Sequence, residues 1–415
     1  MQTITITEPA YFNSFCCTGP ACSDNCCHTW DILIDKPHYH QYIKESMPEF
    51  KTLCIQTVEK LKDEATPEHY ARLKLQGNGR CGFQAQDGGC LIYRLLGPNA
   101  LSNTCTIYPR RKAEFISGCW EFSLSMSCEE AAKLILFSPE SKKLKTYSRS
   151  ICDDNPFDRQ AAFGIGTNGL YEKAPFFGSA LRQVCLELIC IPELTIQERI
   201  LSIGLLLKKI DDLKSSHKED QIIPMSLSYL TTIQQGNFKG FFEKLEYQRE
   251  AHLAAFKLPM AHLLAAAQKP VLNHLLDILQ PWCDINSAGE YLAGERAASF
   301  LINEAAKTAD PFILKHEKEV ENYFFSYIFS GLFPFLYYKR GVSFEEHGIL
   351  LAEQFALLRI LLTLSSDTIP EETRLIQAVV SLSRICQHAD LAYDMETLSN
   401  TVALDGLAHA AYLLR

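Results

Sequence analysis

The stretch FCCTGPACSDNCCHTW, residues 15–30, sets five cysteines, Cys16, Cys17, Cys22, Cys26 and Cys27, within twelve positions. A chain with no use for thiolates does not concentrate them in this way. Sulfur is a soft donor suited to zinc, copper(I) and iron–sulfur clusters. Cys54, Cys81, Cys90, Cys105, Cys119 and Cys128 follow, so eleven of the sixteen cysteines fall in the first third of the 415 residues. One end of the protein is built around sulfur.

Bulk properties bound the rest. Hydrophobic content of 47% with 21% charged residues describes a globular chain long enough for two or three domains. A net charge of -9 argues against a sequence-independent grip on nucleic acid, which needs a basic surface. The N-terminus MQTITITEPAYF has neither the positive n-region nor the apolar h-region of a secretory signal. The expected compartment is therefore the cytoplasm, where disulfides are rare and clustered cysteines read as ligands or redox groups. Residues 322–338, NYFFSYIFSGLFPFLYY, carry no charge, but they are short for a membrane span and Pro334 interrupts them. They read as a buried or groove-lining aromatic segment, and no membrane insertion is expected.

Along the chain, ILIDKPHYHQYIKES (32–46) and EFKTLCIQTVEKLKDEA (49–65) predict helices, as does CEEAAKLILFSPE (128–140) with Ser127 as N-cap. GNGRCGFQAQDGGCLIYRLLG (77–97) reads as loop. Residues 151–180, rich in Gly, Asp, Asn and Pro, form a connecting or functional loop. From 181 onward the pattern is helical. IQERILSIGLLLKKIDDL (196–213) puts Ile196, Ile200, Ile203, Leu207 and Ile210 on one face. Hairpin signals are scarce. The expected fold is mainly α: a cysteine-rich, loop-rich N-terminal cluster domain (1–150) packed on a multi-helix C-terminal body (181–415).

The first cysteine group has the spacing C-C-x4-C-x3-C-C, and a second is spread over Cys81, Cys90 and Cys105. Gly82, Gly88 and Gly89 would let the backbone turn tightly there. Four sulfurs complete a cubane cluster or a tetrahedral zinc site, and three leave a position open. Adjacent cysteines seldom both reach one site, so the ligands are four, or three, of Cys16, Cys17, Cys22, Cys26, Cys27, Cys81, Cys90 and Cys105. Spacing does not choose among them. The usual radical S-adenosylmethionine spacing C-x3-C-x2-C is not met, because Cys22 and Cys26 are followed by Thr29. Cys54, Cys152, Cys185, Cys190, Cys283 and Cys386 sit singly and read mostly as buried small hydrophobes.

Three motifs, CCTGPACSDNCCHTW, RCGFQ with GGCLIYRLLG, and CTIYPRR, resemble the flagellin lysine-N-methylase family, known as FliB, within a broader group of cysteine-rich iron- or zinc-cluster proteins. The likeness is densest over residues 10–130, and the helical remainder looks like the same family with less distinctive motifs. The broader group's C-x2-C-x2-C-C spacing is lengthened here. The resemblance implies an iron–sulfur-containing enzyme, probed most naturally as a 4Fe–4S protein, that transfers methyl from S-adenosylmethionine to lysine ε-amines of flagellin.

That chemistry needs a deprotonated amine, a methyl group in line with it, and an anchored cofactor. Tyr108, beside Cys105, is the catalytic candidate, and Arg110 is a candidate partner for the cofactor carboxylate. Arg110 reads equally as a counter-charge to thiolates. Gly164, Gly166 and Gly169 in FGIGTNG match G-x-G-x-x-G as a nominal cofactor loop, without the βαβ context that gives the motif force. His28 reads as a packing residue, and nothing singles out Asp24, Asp31, Asp35 or Glu121 as a base. Two other readings stay open: a metal-cluster redox or carrier protein without methyl transfer, and a zinc-stapled helical adaptor.

Overall fold

The computed structural model describes residues 3–415 except 23–25, 28–31, 63–64, 78, 117–118, 153–154, 160–162, 165–175, 268–283, 286–290, 293–294, 333–342 and 388–405. The chain is mainly helical, as expected, but its first part carries more strand than the sequence suggested. The strands that matter are β1 (Thr3–Pro9), β2 (Ile32–Ile34), β3 (Val58–Lys60), β4 (Ala71–Leu73), β5 (Arg110–Ile116), β6 (Cys119–Leu124), β7 (Leu144–Ser150) and β8 (Phe163–Gly164). Five form one sheet in the order β7-β1-β6-β5-β8, with β1 parallel to β6 and antiparallel to β7. TITIT at the start of β1 has the strand period of two. Ile4 and Ile6 are buried, while Thr5 and Thr7 meet Ser148 and Thr146 on β7 at 3.4 and 3.0 Å.

Two helical expectations change at their ends. ILI (32–34) is a strand, and the helix α1 (Lys36–Lys44) begins after it, capped by Asp35 with Pro37 in its first turn. Helix α2 (Pro48–Thr57) stops before β-branched Val58, where the chain turns into β3 and pairs with β4. β2, β4 and β3 make a small antiparallel sheet. Within the stretch read as loop, Leu91–Leu96 forms a short helix, α3, closed by Gly97 at φ +86°. A further short helix, α4 (Asn103–Ile107), is capped by Ser102. Helix α5 (Glu129–Phe137) starts after Cys128 rather than Ser127, whose hydroxyl is engaged with Ser125 instead.

The apolar interior falls into two parts. The smaller one gathers Ile32, Ile34, Tyr42, Phe50, Cys54, Ala71, Leu73, Cys81, Phe83, Ile92 and Ala100 from residues 32–100. The larger one runs from the five-stranded sheet through α5 into the helical body. That body is centred on α9 (Phe344–Leu364), with α6 (Gly178–Leu188), α7 (Ile196–Ser215), α8 (Glu317–Tyr327), α10 (Glu371–Gln387) and α11 (Gly406–Leu414) around it. Capping boxes, Thr195 with Glu198 and Ser343 with Glu346, start α7 and α9. The predicted face of α7 is buried throughout. Where α7 and α9 cross, a Cβ on Gly348 would lie 2.8 Å from the Cα of Gly204, so this crossing requires glycine.

The α9 helix is the one described helix long and apolar enough to cross a membrane, and 89% of its apolar window is buried inside the protein. Of the aromatic run at 322–338, Tyr323, Phe324, Phe325, Tyr327 and Phe329 are buried, and residues from Phe333 lie outside the described part.

Candidate metal centre and the cavity beside it

Cysteines from three separate segments meet at the small core. The loop 75–90 is folded by short backbone bonds, Ala85 to Gly89 at 2.8 Å and Leu91 to Phe83 at 2.9 Å, with Gly88 at φ +85°. Gly82 backs onto α2, where a Cβ would stand 2.4 Å from the Thr57 side chain. These turns carry Cys81 and Cys90 to the same place. The amide of Cys81 donates to the carbonyl of Cys27 at 2.8 Å, which brings in the N-terminal group. Cys105 arrives on α4, whose first amide is held by Asp35 at 2.9 Å. Burial alone would raise the Asp35 pKa, but hydrogen bonds from His38 and the Asn103 amide outweigh it and hold the carboxyl below its usual range.

The thiols in this group act on one another. Burial pushes Cys81 up to about 11 and Cys105 up to about 12, and the negative charge that each would carry disfavours ionisation of the next. Cys90 is raised by burial, with Cys26 adding to the effect. Cys26 and Cys27 hydrogen-bond side chain to side chain, so Cys26 gives up its proton more easily and Cys27 holds its own. The group of interacting thiols is therefore Cys26, Cys27, Cys81, Cys90 and Cys105. It is all soft sulfur, the chemistry that zinc or an iron–sulfur cluster takes. Among the described residues, no three or more Cys, His, Asp or Glu side chains form a group that could hold a metal ion as they stand.

The other predicted cysteines make contacts of their own. Cys16 and Cys17 are exposed, the latter accepting from the Gly19 amide at 3.4 Å. Cys22 reaches Glu129 at 3.6 Å. Cys128, not proposed as a ligand, is pushed up to about 12 by burial and feels Cys26 and Cys22.

Tyr108 lies between the thiol group and the body, its hydroxyl 2.9 Å from Ser127 Oγ. Burial raises its pKa well above that of an ordinary phenol. Gly164 sits in β8, paired in register with Glu114 of β5, while Gly166, Gly169 and His28 lie outside the described residues. Glu121 is not a free base: it is engaged twice by Arg182 of α6, the longer contact at 2.7 Å.

Arg110 faces a cavity of about 340 Å³ that the sequence did not indicate, walled also by Glu8, Asn13, Phe122, Tyr147 and Phe157. Its guanidinium rests 5.0 Å from the centre of the Phe15 ring. Glu8 comes from the end of β1 and accepts from Asn13 Nδ2 at 2.7 Å and Tyr147 Oη at 3.1 Å. Burial raises the Glu8 pKa in spite of these donors. The one signal that could have found this site is the alternation TITIT, which makes residues 3–9 a strand and places Glu8 at its end. Thr106 and Ile107 of α4 also border the cavity, so this short helix has the cavity on one side and Cys105 in the small core on the other.

Comparison with known proteins adds identity to this geometry. The family described as FliB lysine N-methylase C-terminal domain matches residues 182–413, the helical body rather than the cysteine motifs. The flagellar biosynthetic protein FliU of Salmonella muenchen is 32% identical over 169 residues, 40% of this chain and 98% of FliU. The lysine-N-methylases of Salmonella typhimurium strain LT2 and Salmonella choleraesuis strain SC-B67 are each 33% identical over 145 residues, 35% of this chain and 35% of their own length. No solved structure matches. With more than half of the chain matched by one family and FliU covered almost end to end, the chain belongs to the FliB lysine N-methylase family.

Proposed function

We propose that the protein is an S-adenosylmethionine-dependent lysine N-methyltransferase acting on flagellin in the cytoplasm before export, and that Cys27, Cys81, Cys90 and Cys105 hold a four-iron cluster. The observation that carries this reading is the meeting of thiols from three separate segments in a member of a lysine N-methylase family. FliU and the lysine-N-methylases give the flagellar and lysine parts of the reading by likeness. Of the adjacent pair, Cys27 is the better ligand: its carbonyl is bonded to Cys81 and its side chain packs on the small core, whereas Cys26 is exposed. Raised thiol pKa values mean that metal loading must displace protons.

S-adenosylmethionine, when bound, would supply an electrophilic methyl to the lone pair of a neutral lysine nitrogen and leave as a neutral thioether, the nitrogen's proton going to water or a base. The protein's share is to hold nitrogen, carbon and sulfur in line and to favour the neutral amine, whose ordinary pKa is ~10.4. Tyr108 does not supply the base on this reading, because a buried phenol with a raised pKa stays protonated at neutral pH. It braces the segment between Cys105 and Arg110 through Ser127.

Anaerobic purification, reconstitution with iron and sulfide, and incubation with labelled S-adenosylmethionine and flagellin test the proposal. The expected result is a brown protein absorbing at ~400 nm and label on lysine. A colourless zinc protein that moves no label would overturn it.

A further inference from the structure

The cavity of about 340 Å³ beside the thiol group has a chemical character that narrows what it can hold. Its two charged walls are opposite in sign, and among the described residues neither makes a salt bridge: Lys145 and Arg149 act on Glu8 through charge alone, and Arg110 feels the thiols of Cys16 and Cys17. Glu8 is buried and is met by the neutral donors Asn13 and Tyr147. Arg110 stacks on Phe15, and among the described residues no carboxylate pairs with it. The cavity's other cation, Arg149, is already held twice by Asp158, at 2.5 and 2.6 Å. The remaining wall is aromatic, with Phe122 and Phe157 at 4.7 Å between ring centres and Phe12 against both.

A ligand suited to these walls carries a carboxylate for Arg110, hydroxyls or an amine for Glu8, and a flat apolar body for the phenylalanines. A lysine side chain does not: it offers one positive charge and an aliphatic stem, and would leave Arg110 uncompensated. Carboxylates commonly accept hydrogen bonds from ribose hydroxyls. The volume lies at the small end of the ~300–1,000 Å³ typical of small-molecule sites.

We propose that this cavity is the S-adenosylmethionine site of the methyltransferase, with the amino-acid carboxylate on Arg110, the ribose hydroxyls on Glu8 and the base among Phe12, Phe122 and Phe157. The assignment rests on the methyltransferase reading above. It places the ligand against α4, next to Cys105.

Calorimetric titration of the full, anaerobically purified protein with S-adenosylmethionine and separately with adenosine tests it. Arg110→Met should weaken S-adenosylmethionine about tenfold or more while leaving adenosine, which has no carboxylate, within about twofold. Glu8→Gln should weaken both. Thr106→Trp, a change at an exposed position on the rim, should block both, and it decides the matter if either buried variant fails to fold. If the wild type and all three variants bind S-adenosylmethionine equally with iron content unchanged, the cavity is not the site, although the methyltransferase reading stands. If Nα-acetyl-lysine binding falls in these variants and S-adenosylmethionine binding does not, the cavity serves the substrate amine and the assignment is overturned. If the wild type binds no S-adenosylmethionine, the methyltransferase reading fails with it.

Discussion

The peptide N–H of Cys81 bonds to the carbonyl of Cys27 at 2.8 Å, which ties the N-terminal cysteine group to the loop that carries Cys90. Backbone thus links two cysteine-bearing segments that are far apart in sequence. Replacing Cys90 or Cys105 by serine should cut bound iron from about four per chain to less than half, with loss of the visible absorbance. Cys16→Ser and Cys17→Ser should leave both unchanged, because those thiols are exposed and bond to the backbone of Cys17 and Gly19. Iron analysis and absorbance on proteins purified side by side check the contrast.

The Glu121–Arg182 pair joins the five-stranded sheet to the helical body, with side chains 10% and 11% exposed. Arg182 also lies over the Phe329 ring at 5.2 Å. Removing one partner strands a nearly buried charge. Arg182→Met alone should lower stability by about 3–5 kcal/mol. Adding Glu121→Gln should recover a good part of that loss, and denaturant titration of the single and double variants measures the difference.

Gly348→Ala should destabilise by about 1–3 kcal/mol. The new methyl would meet the backbone of Gly204, which cannot swing aside as a flexible side chain would. A thermal midpoint no lower than that of the wild type would show that α7 and α9 pack less closely than described.

Burial lowers the pKa of His409 and of His252 to about 4, in the second case with Arg359 and Arg415 adding to the effect. Among the described residues, neither nitrogen of His409 has a hydrogen-bond partner. In the unfolded chain each histidine titrates at ~6.5. Below that pH the unfolded state takes up protons that the folded state refuses, so stability falls as pH drops from 6.5 toward 4. Each histidine should cost on the order of 2 kcal/mol by pH 5. His409→Leu should flatten the decline in unfolding free energy measured between pH 7 and 5, and an unchanged slope would contradict the burial described here.

The helical body was legible because burial imposes a period of 3.6, and the apolar face of α7 shows it directly. The sheet was not, because β5 begins Arg-Arg-Lys and its pairing with β6 is a long-range matter that no local pattern announces. The convergence of Cys81, Cys90 and Cys105 could be suspected from composition. The exposure of Cys16 and Cys17 could not, since it depends on which way a loop leaves the small core. Glu8, Asn13 and Tyr147 reach one cavity only through the order of strands β7 and β1, so residue type alone gave no hint of them.

The smaller apolar interior spans residues 32–100 and shares little with the larger one. Units shorter than ~80 residues rarely hold together on packing alone and lean on a staple. Heating should therefore melt this lobe first, in a separate early transition, while the helices around Phe344–Leu364 stay closed. Whatever the sulfurs grip would set the temperature of that first step and leave the second where it was.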